Sequence, residues 1–152
     1  MEQRQVPNAI EAPADCRLAF QVSAKGVQVY RLVKDQQRVV SWVLAGPEAE
    51  LTDENARVVG THFEGPTWRH HDGSEIRGKV IARADAPDPA AIPWLLLEVT
   101  ERAGTGALSR VSYIQRVETF GGHPPQKHDV NEGEFVRIPY TAVYRFFSHF
   151  RS

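Results

Sequence analysis

Three of the six histidines, one of the three tryptophans and two carboxylates fall within residues 60–74, which read Gly-Thr-His-Phe-Glu-Gly-Pro-Thr-Trp-Arg-His-His-Asp-Gly-Ser. Those side chains can do two kinds of chemistry. His62, His70 and His71 are nitrogen ligands, and three imidazoles can hold zinc or copper with one position left open. Yet their spacing matches no standard metal motif, and the adjacent His70 and His71 point to opposite faces of a regular strand. No metal and no other cofactor is therefore expected; the plain reading is solvated loop histidines around one core histidine, His62. His123 and His128 lie near a second loop. Alternatively, His62 beside Asp72 or Glu64 makes a carboxylate-oriented imidazole, a proton shuttle near neutral pH, with Tyr113 assisting. Asp72 has a competing duty, because Asp72-Gly73 is the preferred pair for a two-residue hairpin turn.

Binding chemistry is also on offer. Trp68 follows Gly65-Pro66 and precedes a polar turn, so its indole can line a pocket as readily as a core. Trp94 and Phe146 read as core. Arg116 lies within an apolar strand and is either a buried anchor for an acidic ligand or a solvent-face residue beside Glu118. Cys16, the single cysteine, sits in no motif and reads as a small buried thiol rather than a nucleophile. One cysteine forms no intramolecular disulfide and excludes a four-cysteine zinc site. Gly104-Thr105-Gly106 lacks the lysine and helix of a phosphate loop.

These groups need a scaffold, and its pattern is β. Ten prolines and eleven glycines cut the chain into short segments. Strand-like runs are expected at 17–24, 26–33, 38–44, 57–63, 75–84, 93–100, 108–119, 135–138 and 141–150. Lys25-Gly26 and Gly46-Pro47 read as breaks, and 48–55 as a helical turn. In 75–84, Ile76, Gly78, Val80 and Ala82 share one face and Arg77, Lys79 and Arg83 the other, the period of a half-solvated strand. Trp94-Leu95-Leu96-Leu97 suggests burial on both faces. The expected fold is all-β: one antiparallel barrel or two-sheet sandwich of eight to ten strands, with residues 1–15 a polar arm and 16–152 the domain.

Composition narrows the partners. A chain of 152 residues buries roughly 68–70% of its unfolded surface, enough for one core without staples. A formal net charge of −1 lacks the basic footprint that nucleic-acid binding requires. No stretch approaches about 18 consecutive apolar residues, so no membrane span is expected, and the N-terminus lacks the apolar run of a signal peptide.

Several fragments carry a resemblance. They are Gly26-Val27-Gln28-Val29-Tyr30; Gly60-Thr61-His62-Phe63 with Gly65-Pro66-Thr67-Trp68 and Asp72-Gly73-Ser74; Ala90-Ala91-Ile92-Pro93-Trp94-Leu95-Leu96-Leu97; Tyr113-Ile114-Gln115-Arg116 with Thr119, Gly121-Gly122 and Pro125; and Pro139-Tyr140-Thr141-Ala142. In order and spacing they resemble the family called domain of unknown function number 3455, over about residues 16–147. The resemblance implies a compact β-rich domain, usually exported, with a histidine usual at the place of His62; it implies no set activity. Members commonly have a leader, a cysteine after the Gly-Val-Gln segment and another after Gly-Gly-x-x-Pro. Here those regions hold Leu32 and Lys127-His128. Losing both cysteines is coherent with a reducing compartment, so a cytoplasmic variant is expected.

The resulting expectation is a small-molecule-binding domain. Its pocket is flanked by the 60–74 hairpin and the 121–126 loop, with His62, Trp68, His123 and Arg116 as contacts. Two alternatives stand beside it: an enzyme using the same hollow, with His62, Asp72 and Tyr113 as the acid/base set, and an oligomeric module pairing through the aromatic strand 141–150. No nucleic acid and no membrane is expected as a partner; a homo-oligomer stays open.

Overall fold

The computed structural model describes residues 6–125 and 133–150. Gln126, Lys127 and His128 lie outside the described residues. Eight antiparallel strands follow in order: β1 (Cys16–Lys34), β2 (Val40–Thr52), β3 (Val58–Phe63), β4 (Thr67–His70), β5 (Glu75–Ala84), β6 (Trp94–Ala103), β7 (Tyr113–Gly121) and β8 (Phe135–His149). Each pairs with the next, and β8 pairs back onto β1, so one sheet closes into a ring. Closure gives every strand two neighbours along at least part of its length.

Strand alternation sorts the side chains. Val22, Leu51, Trp68, Leu97, Ile114 and Tyr144 point inward and share one core. Each such side chain, fully buried, contributes about 1.5–3 kcal/mol relative to exposure. The 93–100 expectation holds, since Leu95 and Leu97 face the interior while Trp94 and Leu96 are buried on the outer face. The cover for that outer face comes from the N-terminal segment. A single 3-10 turn, Asn8–Ile10, buries Ile10 completely against Trp94, Leu96 and Val117. Gln115 Nε2 donates to the Ile10 carbonyl at 2.8 Å. Residues 1–15 were expected as an arm rather than core, and Ile10 departs from that: one apolar residue in a polar stretch suffices when it meets an apolar outer face. Ile10→Ala is expected to cost about 2–3 kcal/mol, read as a lowered denaturant midpoint at constant m-value.

Several expected breaks are absent. β1 runs unbroken through Lys25-Gly26. A Cβ on Gly26 would lie 2.0 Å from the Glu48 carbonyl oxygen, so this glycine permits close strand approach rather than a turn. β2 runs through Gly46-Pro47 and on to Thr52, where a turn and then a helical turn were expected. The pairing slips between Val29 and Tyr30, whose partners are Gly46 and Leu44, and Gly46 adopts φ +148 at this bulge. Pro47 is tolerated because β2 pairs with β3 only from Ala49 to Thr52, leaving a free edge beside it. β7 starts at Tyr113 rather than at Leu108; Leu108 and Val111 instead tuck from the β6–β7 loop into the core. Finally, β8 is bonded to both β1 and β7 between Tyr140 and Phe147, so it offers no free edge there for the expected oligomer pairing.

Candidate functional site

The short β3–β4 hairpin leaves a notch in the ring. β4 pairs with β5 only from Thr67 to Arg69, opposite Arg77 to Glu75. Beyond that register, Leu44 to Pro47 of β2, Val80 of β5 and the connecting Gly65-Pro66 line one opening. Through this notch opens a hollow of about 230 Å³. Its wall is apolar: Leu44, Pro47, Val80, Leu95 and Leu97. Five larger groups complete it: Gln28, His62, Trp68, Arg116 and Tyr144.

Register explains their meeting. His62 and Trp68 are direct cross-strand partners, so their rings stack at 4.4 Å between centroids and 18° between planes. Tyr144 sits edge-on to His62 at 4.8 Å. Arg116 and Tyr144 are partners in the β7–β8 ladder, so the Arg116 side chain leaves the inward face and lines the hollow. Its Nε and Nη2 donate to the Pro93 carbonyl at 3.0 and 2.8 Å. Among the described residues, no carboxylate comes within ion-pairing distance of its guanidinium. Two further polar groups are left over. Among the described residues, Gln28 Oε1 and Trp68 Nε1 are buried without a hydrogen-bond partner, a rare condition in folded proteins.

His62 is 3% exposed. The Thr67 carbonyl, an obligate acceptor, lies 2.8 Å from Nδ1, so Nδ1 carries the proton and Nε2 remains an acceptor. Burial lowers the His62 pKa to about 3; the Thr67 bond opposes this and the Arg116 charge adds to it. The imidazole is neutral at physiological pH. Tyr144 and Tyr140 share a hydroxyl contact at 3.2 Å, and burial raises both phenol pKa values, so they too stay neutral.

The expected catalytic set is not assembled. Asp72 sits in the β4–β5 turn, at the opposite end of the ring from residues 64–66, and does not line the hollow. Its Oδ1 accepts from Ser74 Oγ at 2.7 Å and Ser74 N at 2.9 Å, and its Oδ2 from Ala107 N at 2.7 Å. These bonds, the Ser74 hydroxyl first, lower its pKa to about 2. The carboxylate thus pins the turn to the β6–β7 loop. The turn itself differs from the expected two-residue form: only Gly73 takes positive φ (+99), and His70 N donates to the Ser74 carbonyl, giving three loop residues. Tyr113 is half-buried on the outer face with its ring edge-on to His149 at 6.3 Å. His123 is exposed and is not part of the hollow's lining, nor are Gly121 and Gly122. His70 and His71 end β4 and open the following turn, so the hairpin carries them away from His62. Of the expected contacts, the structure brings together His62, Trp68 and Arg116.

Gln28 and Leu44 were missed by sequence reasoning. Gln28 had a legible signal, a polar side chain between Val27 and Val29 in an apolar strand. Leu44 had none, because its role depends on the free edge of β2.

A family model described as "Protein of unknown function (DUF3455)" matches residues 13–148. The chain belongs to DUF3455. All eight strands contribute residues to the matched span, and so does every residue lining the hollow. No curated protein and no solved structure matches this DUF3455 chain.

Proposed function

We propose that this DUF3455 chain binds a small, mostly apolar ligand bearing one acidic group, with Arg116 as the anchor. The observation that carries the reading is a guanidinium facing an apolar hollow with no carboxylate partner among the described residues. The hollow lies below the ~300 Å³ lower end of drug-sized sites, which suits a compact ligand. Buried Gln28 and Trp68 supply the unused polar atoms, and the neutral His62–Trp68 stack supplies a flat face for an aromatic or unsaturated body. In this reading the ligand would enter at the notch beside residues 64–66 rather than between the whole 60–74 hairpin and the 121–126 loop, because His123, Gly121 and Gly122 are not among the residues lining the hollow. An acid/base role for His62 draws less support, because a general base works best with its pKa near the working pH. A cytoplasmic setting remains part of the reading, supported by the single cysteine.

The test is calorimetric titration with aromatic and medium-chain monocarboxylates and their matched amides. Acids are expected to bind and amides to bind at least about tenfold more weakly, the scale of one charge-assisted contact. Arg116→Met is expected to remove that preference, and Arg116→Lys to restore only part of it, since lysine keeps the charge but loses the fork. Equal binding of acids and amides, or an unchanged preference in Arg116→Met, would overturn the reading.

A further inference from the structure

A second cluster of donor atoms lies outside the hollow, where the ladder between β1 and β8 begins. We propose that Asp15, Cys16 and His149 form a three-ligand site for a divalent transition-metal ion of the zinc type, with a fourth position open to solvent. The proposal is independent of the hollow and of its ligand.

Register builds the site. Cys16 and His149 are directly opposed in the β1–β8 ladder, so their side chains leave the same face of the sheet. Asp15 is the next residue out, and its backbone is held by Phe150 N, which donates to the Asp15 carbonyl at 3.0 Å. The edge of the Tyr113 ring packs beside the His149 imidazole. A sulfur, a nitrogen and a carboxylate oxygen from these residues all lie within 4.8 Å of one another.

The pairwise separations are close to those of coordinated ligands, with the carboxylate turning a different oxygen to each partner. Metal–ligand bonds of about 2.0–2.3 Å at tetrahedral angles put neighbouring ligand atoms about 3.3–3.6 Å apart. Here Cys16 Sγ is 3.5 Å from His149 Nδ1, His149 Nδ1 is 3.2 Å from Asp15 Oδ2, and Cys16 Sγ is 3.7 Å from Asp15 Oδ1. The direction of the contacts separates a metal site from a nucleophile. In a thiol–imidazole–carboxylate relay the thiol and the carboxylate use opposite ring nitrogens. Both contacts here meet at Nδ1, so a relay is not built; instead three metal-ligating groups are gathered within 4.8 Å of one another. A mixed sulfur, nitrogen and oxygen set favours a borderline ion over hard magnesium or calcium. Access is open, with the His149 side chain 43% and the Asp15 side chain 71% exposed.

Cobalt(II) tests this directly, because it takes zinc sites and reports its geometry and ligands in its spectrum. The metal-stripped, untagged full chain is titrated with Co²⁺. Binding of one equivalent per chain is expected, with intense tetrahedral visible bands and a thiolate-to-cobalt charge-transfer band, both lost on adding Zn²⁺. The chain has one cysteine, so that band can come only from Cys16. Cys16→Ser is expected to abolish the charge-transfer band, and His149→Gln to weaken Co²⁺ binding by more than about tenfold, since even outer-sphere partners are worth that much. All three positions lie at the ladder's exposed end, and far-ultraviolet circular dichroism confirms the fold of each variant. Weak octahedral Co²⁺ without a charge-transfer band, or unchanged affinity in His149→Gln, would overturn the proposal.

Discussion

Trp68→Ala is expected to lower the stability of the chain by about 3–5 kcal/mol. Trp68 is 1% exposed and holds three rings at once: it stacks on His62, and it meets Tyr144 edge-on at 5.5 Å and Phe146 edge-on at 6.5 Å. Removing the indole takes away that contact surface and enlarges an existing hollow. Because the new void opens into the notch, water can enter it and relieve part of the cavity cost, so the loss should fall near the lower end. Trp68→Phe separates packing from polarity. It keeps most of the apolar surface and deletes an N–H that has no partner among the described residues, so its cost should be about 1 kcal/mol or less. Chemical denaturation at constant m-value reads both numbers. A loss below about 1 kcal/mol for Trp68→Ala would mean that the indole is not part of the core.

The second large effect is acid lability centred on His62. Its folded pKa of about 3 lies far below its unfolded value of 6.5. Between those two values the unfolded chain binds a proton that the folded chain does not. Stability from this group is therefore fully present above the unfolded pKa and is lost as pH falls from 6.5 towards 3. The slope reaches about 1.4 kcal/mol per pH unit, and the full loss over the whole interval is about 5 kcal/mol. Asp72 works in the same direction but lower, between its ordinary value of 3.8 and about 2. The interval from pH 6.5 to 4.5 thus isolates the histidine from that carboxylate. His62→Gln, measured against the parent chain by urea denaturation across that interval, should be less stable at pH 7 and have a flatter pH profile. Parallel profiles would show that His62 is not buried in its neutral form.

The position of His62 shows how far residue order alone reaches. A histidine in an apolar, alternating segment is legibly a core candidate, and the fragment at residues 60–68 was enough to point at one corner of the site. Glu64, Asp72, His70 and His71 looked equally close in the chain. A hairpin, however, sends residues on the two sides of a turn back along each other, so His62 pairs with Trp68 while His70 and His71 travel to the far end with Asp72. Nearness in sequence beyond about one strand length then places groups at opposite ends of the ring. Tyr113 lies off the hollow because period two assigns a residue to one of two faces without saying which face is inside, and His123 because it sits in the loop beyond the end of β7.

What the chain's order of residues determined by itself was mostly local: period-two alternation, the two-faced apolar run at Trp94–Leu97 and the presence of a turn at Gly73, though not its length. These depend on backbone preferences and side-chain spacing within a few residues. Tertiary structure alone decided the closure of β8 onto β1, the inward face of Arg116, the burial of Ile10, and the passage of β1 and β2 through glycines that looked like breaks. It also brought Cys16 against His149 across nearly the whole chain. Each of these follows from pairing between distant strands, whose register is set by the sum of all inward-facing side chains fitting one closed interior rather than by any single segment.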